Sequence, residues 1–201
     1  MRRAEMPYST EHKQRTRESI LSTAIRLFSN KGYDSVTIDQ LMTAAGLTRG
    51  AFYTHFDSKS ELYAEAVLAA AMQSPIASGA CPGEKGTDWI RRTASLYLSR
   101  EHLEQEDFPC PLAFLVTDVA NREPAVRNTY TRVYAEFVRV LQSHLPMEAS
   151  TTAKGSELSW AMAALMIGGV AVCRALNDEA TIDRVLVACR QVVEGLAEDV
   201  A

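Results

Sequence analysis

The sequence predicts an all-α fold of about nine helices. Apolar residues recur at helical spacing along almost the whole chain, whereas the alternating pattern of strands is nearly absent. The charge is also unevenly divided, because residues 1–60 carry nine Lys/Arg and six Asp/Glu, whereas residues 61–201 carry twelve and nineteen. A basic N-terminal segment joined to an acidic body is typical of a DNA-binding head on a domain that does not itself bind DNA.

The first predicted helix covers residues 11–31, and its apolar stripe includes Ile20, Ala24 and Phe28. Gly32 follows at the position where a left-handed residue commonly ends a helix. Ser58 lies three residues before Glu61, which is the spacing of a capping box, and it predicts a helix over residues 58–74.

Two short helices are predicted between these longer ones. Thr37 begins the first with Gln40 three residues later, which is a capping box, and Gly46 ends it. Thr48 is expected to cap the next helix. Short helices joined by a tight glycine turn, after a longer supporting helix, form the helix-turn-helix layout.

The second of these short helices has an apolar side and a polar side. Phe52 and Phe56 are one turn apart and anchor it in the core. The residues left on or near the outward side are Arg49, Gly50, Tyr53, Thr54 and His55. Arginine can pair with guanine and threonine can contact a base or a phosphate, whereas tyrosine and histidine can donate hydrogen bonds to phosphates.

These residues resemble a known family. TIDQLMTAAGLTRGAFYTHFDSKSELYAEAV is similar to the signature of the TetR/AcrR regulators, and RESILSTAIRLFSNKGYDSVT resembles that family's first helix. The resemblance implies a DNA-binding domain over residues 1–57 and a ligand-binding and dimerisation domain over residues 58–201. It implies base contacts by Thr48, Arg49, Gly50 and Thr54, and phosphate contacts by Thr37, Tyr53, His55 and Lys59.

Five more helices are predicted, near residues 88–102, 110–121, 123–145, 157–176 and 180–198. In the fourth of these, small residues form a stripe that would let another helix come close: Ala161, Ala164, Gly168 and Ala171 or Val172. The resemblance implies that the last two helices pair with those of a second copy in a four-helix bundle. The alternative is packing within one chain.

A small-molecule pocket is expected in the body, because aromatic side chains with a few polar groups usually line such sites. The candidate lining residues are Trp89, Tyr97, Phe108, Cys110, Phe114, Thr117, Asp118, Tyr130, Tyr134, Trp160 and Met166. Asp118 stands out in an apolar helix. It is either a buried carboxylate that selects a cationic ligand or a solvated acid at a helix end.

Cys110 begins a predicted helix, and a helix N-terminus lowers a thiol pKa and favours reactivity. The surrounding PCPLAFLVTDVANREPAVR resembles the matching stretch of the NemR-type repressors, which respond to electrophiles and oxidants through a cysteine at this place. The alternatives are a sensor thiol and a small residue that packs under the loop. Nearby acidic residues oppose a low pKa.

The resemblance implies a dimeric repressor that a small-molecule effector releases from a palindromic double-stranded DNA operator. The alternatives are a redox or electrophile switch at Cys110 and an enzyme. The sequence offers no nucleophile–base pair, metal-ligand spacing or phosphate loop, so no enzyme activity, cofactor or metal is expected. The polar N-terminus and the short apolar runs predict a cytoplasmic protein with no membrane partner.

Overall fold

The computed structural model describes residues 10–73, 86–105 and 109–199, and within these ranges all regular secondary structure is helical. The helices are α1 (Thr10–Lys31), α2 (Ile38–Ala44), α3 (Arg49–Phe52), α4 (Lys59–Gln73), α5 (Gly86–Tyr97), α6 (Arg100–Leu103), α7 (Pro111–Phe114), α8 (Val116–Val119), α9 (Pro124–Ser143), α10 (Met147–Ser150), α11 (Ala153–Cys173) and α12 (Glu179–Glu198). The all-α prediction is confirmed.

The predicted number of about nine helices is wrong, because the described residues form twelve. The predicted helix at 88–102 is divided at Ser99, whose extended backbone and hydroxyl cap the single turn of α6. The predicted helix at 110–121 is divided at Leu115, where φ is −113° and ψ is 2°. A further single turn, α10, lies in the predicted loop after α9. Hydrophobic periodicity does not detect such one-turn breaks.

The helix ends in the head follow the predicted turn chemistry. Gly32 and Gly46 have φ values of +75° and +70°, which favour glycine after α1 and α2. The capping box of α2 is complete, since the Thr37 hydroxyl accepts from the Gln40 N–H and the Gln40 side chain accepts from the Thr37 N–H. Thr48 differs from the prediction: its extended backbone begins α3, but its side chain makes no capping hydrogen bond.

The apolar centre of the head belongs to one continuous core that extends into the body, and within the head α2 packs against both α1 and α3. Phe28, Leu41, Phe52 and Phe56 are almost fully buried there. α4 packs against α1 on one side and against α9 on the other, so that this helix joins the head to the body. The predicted anchoring of α3 by two phenylalanines one turn apart is confirmed.

The body is organised around α5, α9, α11 and α12. α11 packs along α12, and a Cβ atom added at Gly169 would come within 3.0 Å of the Cys189 sulfur and of a Leu98 methyl. Gly169 therefore allows the two helices to approach closely. Among the described helices, α11 alone is long and apolar enough to cross a bilayer by length and composition, and nearly half of its most apolar stretch is buried inside the chain.

Candidate DNA-binding surface and ligand cavity

The predicted base-contacting residues lie together at an exposed corner of the head. Thr48, Arg49 and Gly50 are exposed at the start of α3, and Thr54 is exposed just beyond it. α3 is a single α-helical turn that the backbone continues as turns, with the Thr54 and His55 N–H groups bonded to the carbonyls of residues 51 and 52. The side-chain surface that would face a base edge is thus small, and Arg49 supplies its longest side chain.

Arg49 is held by an acidic neighbour from the supporting helix. Its Nη1 donates to Asp39 Oδ2 at 2.7 Å, and both side chains are more than half exposed. An exposed pair of this kind contributes at most about 1 kcal/mol, so a nucleic-acid partner can displace it. Tyr53, beside this pair, is 55% exposed although its ring packs against Phe52.

His55 and Lys59, two predicted phosphate contacts, are less accessible than the sequence suggests. His55 is half-buried, its Nδ1 has no hydrogen-bond partner among the described residues, and burial together with Lys13 and Arg17 lowers its pKa. Lys59 Nζ donates at 2.9 Å to the carbonyls of Tyr33 and Val36. Lys59 therefore holds the turn between α1 and α2, and the phosphate contacts stay predictions.

Thr37 stands at the exposed start of α2, where a phosphate contact is predicted. Its backbone N–H and its hydroxyl are both engaged by the Gln40 side chain, at 2.9 and 3.2 Å. The start of α2 is thereby capped by its own side chains. A phosphate contact at this position would help to set the register and orientation of the head on a duplex.

A cluster that the sequence does not predict joins the head to the body. We call it the Asp118 clasp, formed by Tyr33, Asp34, Tyr63, Asp118 and Arg122. Asp118 Oδ2 accepts from the Tyr33 backbone N–H at 3.0 Å and from the Tyr63 hydroxyl at 2.7 Å. Asp118 is therefore neither in the cavity lining nor a solvated acid, but a partly buried joint between α8 and the turn after α1.

Arg122 completes the clasp from the body side. Its guanidinium donates two hydrogen bonds to Asp34, at 2.8 and 2.7 Å, and lies 3.4 Å from Asp118 Oδ1. It also covers the Tyr33 ring at 4.5 Å. The hydrogen bonds from Arg122 lower the pKa of the Asp34 carboxyl. The guanidinium therefore ties the turn after α1 to the body by charge as well as by hydrogen bonding.

A second joint lies nearby, at the end of α11. Arg174 donates to the carbonyl of Phe114 at 2.9 Å and to the carbonyl of Ser29 at 3.1 Å, with its guanidinium 3.8 Å from the Phe114 ring centroid. Phe114, a predicted pocket residue, thus lies between the body and α1. One arginine connects α11, α7 and the end of α1.

A cavity of about 310 Å³ opens between α4, α5, α7 and α9. Its lining consists of Leu68, Ala71, Met72, Tyr97, Cys110, Pro111, Leu112, Arg132, Val133, Glu136, Phe137 and Val140. Tyr97 and Cys110 are the predicted pocket residues that the structure places there. The contribution of α4 was missed: its exposed apolar residues Leu68 and Met72 belong to the helix predicted over residues 58–74, which was not among the candidate pocket segments.

The other predicted pocket residues lie elsewhere. Trp89 stacks on His144 at 3.7 Å. Tyr130 donates to the Leu112 carbonyl at 2.6 Å, behind the cavity wall. Tyr134 lies with its ring 5.5 Å from that of Trp160, and Thr117 is exposed, whereas Met166 is buried in the core. Phe108 lies outside the described residues.

The only hydrogen bond between described lining side chains joins the Tyr97 hydroxyl and the Cys110 sulfur, 3.2 Å apart. Both side chains are buried, and burial raises the pKa of each. The helix start was expected to lower the Cys110 pKa. Backbone hydrogen bonds from α7 do lower it, but burial has the larger effect.

The small-residue stripe of α11 faces outward. Ala161, Ala164 and Val172 are exposed, and a Cβ atom added at Gly168 would meet nothing within 4 Å. On α12, Val187 and Val192 are also exposed, at 40% and 51%. These small and apolar side chains of the last two helices are thus left exposed by the part of the chain that the structure describes.

Comparison with known proteins agrees with this organisation. Residues 20–66 match the model of the bacterial regulatory proteins of the tetR family. Residues 92–187 match the C-terminal domain model of LmrA/YxaF-like transcriptional regulators. The two matches cover the head and the body separately, so they support the whole architecture rather than the motif alone.

Individual relatives match either a short segment or most of the chain. The chain is 50% identical over 52 residues to the AcrR regulator of Shigella flexneri, a match that spans 26% of this chain and 24% of that protein. It is 26% identical to LmrA of Bacillus subtilis over 77% of this chain and 84% of that one. The reduced form of E. coli NemR superposes with a TM-score of 0.74 at 16% identity, covering 90% and 96% of the two chains.

The NemR likeness shows a shared fold alone at this identity. The match of the head, over residues 20–66, and the match of the body, over residues 92–187, lie in different parts of the chain and indicate the same kind of regulator. The all-helical structure agrees with both. The chain belongs to the TetR family of helix-turn-helix transcriptional regulators.

Proposed function

We propose that this chain is a cytoplasmic, dimeric repressor that leaves a palindromic operator when a small molecule binds in its body. The observation that carries the proposal is the connection between two sites. The predicted base-contacting residues are exposed in the head, an apolar cavity lies in the body, and the Asp118 clasp joins the head to the body between them. A regulator needs such a connection for a ligand to affect DNA affinity.

Dimerisation is supported by the outward apolar face of α11 and α12. Small residues at Ala161, Ala164 and Gly168 would let a second copy approach closely, and exposed valines on both helices would be buried. Most soluble oligomers are symmetric, and a two-fold axis through this face would place two heads on two half-sites of a palindrome.

The ligand response is supported by the path from the cavity wall to the head. Pro111 and Leu112 of α7 line the cavity, and α8 follows directly with Asp118. A ligand that favours a displaced α7 would move α8 and change the hydrogen bond to the Tyr33 N–H. The population with correctly placed heads then falls by as much as the ligand's differential affinity allows.

The proposal is tested by a gel-shift titration with DNA from upstream of the protein's own gene. We expect a dimer to bind a palindrome there, with affinity that falls steeply as salt rises because phosphates contribute most of the binding. Failure to bind any palindrome in that DNA at low salt would refute the DNA-binding half of the proposal. Unchanged binding with every compound that binds the body would refute the ligand response.

A second candidate, a repressor switched by electrophiles or oxidants, is favoured by one observation. The Cys110 sulfur is part of the cavity lining, so a small electrophile in the cavity would meet it. The raised pKa opposes this candidate, since the thiolate is the reactive form. Retained release of DNA from a Cys110→Ser variant after treatment with quinones or hypochlorite would exclude it.

A further inference from the structure

The cavity carries its charges only at the mouth. Arg132 and Glu136 are the charged residues of its described lining, and both are exposed on successive turns of α9. Deeper in the cavity, the Tyr97 hydroxyl and the Cys110 sulfur are hydrogen-bonded to each other. Both groups stay neutral near pH 7 because burial raises their pKa values. An ion at the base would lose its hydration without gaining a partner, so a charged group of a ligand belongs at the mouth.

The two charges at the mouth are not equivalent. Both oxygens of Glu136 accept from Arg139, at 2.8 and 2.5 Å, which leaves that carboxylate compensated. Arg132 makes a weak 3.4 Å contact with the Thr129 hydroxyl, and within the described ranges no carboxylate forms an ion pair with it. The mouth therefore presents one uncompensated positive charge beside an apolar wall.

The wall below Arg132 accepts an apolar group. Leu68 and Met72 of α4 face Val133 and Phe137 of α9 across the opening. The volume of about 310 Å³ lies at the lower end of the range of ~300–1,000 Å³ that small-molecule sites occupy. A compact apolar body fits this space, and its burial supplies the larger part of the binding free energy.

We propose that the cavity binds an amphipathic anion, with its apolar body between α4 and α9 and its carboxylate or sulfate paired with Arg132. This rests on the proposed function, because it names the class of effector for the same cavity. An anion is favoured over a neutral analogue by the Arg132 charge. A cation is disfavoured because Glu136, its natural partner, is already paired.

The test is titration calorimetry of the full-length protein without DNA, with three probes that each carry an eight-carbon chain: octanoate, 1-octanol and octyltrimethylammonium. We expect octanoate to bind most tightly and the ammonium compound least tightly. Arg132→Gln should weaken octanoate by up to about fivefold, the upper range for one exposed ion pair, and leave octanol unchanged. Arg127→Gln, an exposed arginine of the same helix outside the lining, is the matched control.

Glu136→Gln provides the opposite change of charge and should leave octanoate binding equal or tighter. The proposal is overturned if the ammonium probe binds as tightly as octanoate, if Arg132→Gln behaves like Arg127→Gln, or if none of the probes binds. Calorimetry without DNA separates this result from the proposed function. Tight octanoate binding that leaves the operator complex intact would refute ligand release but not the anion site.

Discussion

The carboxylate of Asp118, in the body, accepts a hydrogen bond at 3.0 Å from the backbone N–H of Tyr33, in the turn that ends α1. The same oxygen accepts from the buried Tyr63 hydroxyl. One side chain therefore satisfies a donor of the head and a donor of the linking helix. This oxygen is therefore one of the contacts that couple the position of the head to that of α8, beside the pair of Arg122 with Asp34.

Removal of this joint should destabilise the protein and weaken ligand control. Asp118→Ala leaves two donors without their acceptor, so we expect the free energy of unfolding to fall by about 2–4 kcal/mol in urea denaturation. Asp183→Ala, which breaks an exposed pair with Arg100, is the control and should lower the free energy of unfolding clearly less, because water screens an exposed pair. An equal loss of unfolding free energy in the two variants would contradict the stabilising role assigned to the Asp118 hydrogen bonds.

Arg49 and Lys59 should differ in what they do for DNA binding. Arg49→Ala removes an exposed side chain, so we expect reduced discrimination between operator and unrelated DNA without loss of stability. Lys59→Ala removes two hydrogen bonds to the turn after α1, so we expect the free energy of unfolding to fall by about 1–3 kcal/mol. Gel shifts on two sequences, together with denaturation curves, distinguish the two effects. Unaltered stability of Lys59→Ala would contradict the assigned turn contact.

The neighbouring glycines of α11 offer a matched test of the dimer. At Gly168 a side chain would meet open space within the chain, whereas at Gly169 it would meet Cys189 and Leu98 at 3.0 Å. We expect Gly168→Arg to give folded monomers in sedimentation equilibrium, and Gly169→Ala to lower the melting temperature with dimerisation retained. A fully dimeric Gly168→Arg variant would place the dimer interface elsewhere.

Cys110 should react slowly with thiol reagents. The sulfur is buried and burial raises its pKa, so little thiolate forms near neutral pH. We expect iodoacetamide to label the half-buried Cys189 before Cys110, as followed by mass spectrometry of the native protein. Faster labelling of Cys110 would favour the redox or electrophile switch.

His102 should make stability depend on pH. Burial lowers its pKa to about 4, and its ring lies tilted against that of Tyr97, with 4.5 Å between centroids. In the unfolded chain the His102 imidazole takes up a proton near pH 6.5. Between that pH and about 4 the unfolded state therefore binds more protons than the folded state, and the protein becomes less stable as the pH is lowered. We expect His102→Phe to remove about 2–3 kcal/mol of this loss, measured as unfolding free energy at pH 7 and pH 4.5. Parallel curves for the two proteins would contradict the burial assigned to His102.

Local chemistry predicted the head well. Capping at Thr37, positive φ at Gly32 and Gly46, and the apolar spacing of Phe52 and Phe56 depend on neighbours in sequence, so a single chain suffices to predict them. The body was predicted less well. Asp118 meets Tyr33 across 85 residues, and no periodicity shows that pairing.

The cavity shows the same limit. Aromatic residues were expected to line it, but most of them fill the core or lie at the seams between helices. The space arises where α4 passes α9, which depends on how these helices cross rather than on residue type. The exposed apolar residues of α4, Leu68 and Met72, were the available clue, because large apolar side chains left in solvent often mark a binding groove.

The pairing of Arg49 with Asp39 also affects which sequences the head would favour. The exposed pair with Asp39 is weak enough for a nucleic acid to displace, so on the predicted contacts Arg49 would exchange this carboxylate for an acceptor on the DNA. A guanine presents two acceptors side by side to one guanidinium. The loss of the Asp39 contact would thus be offset best where the sequence places a guanine beside Arg49.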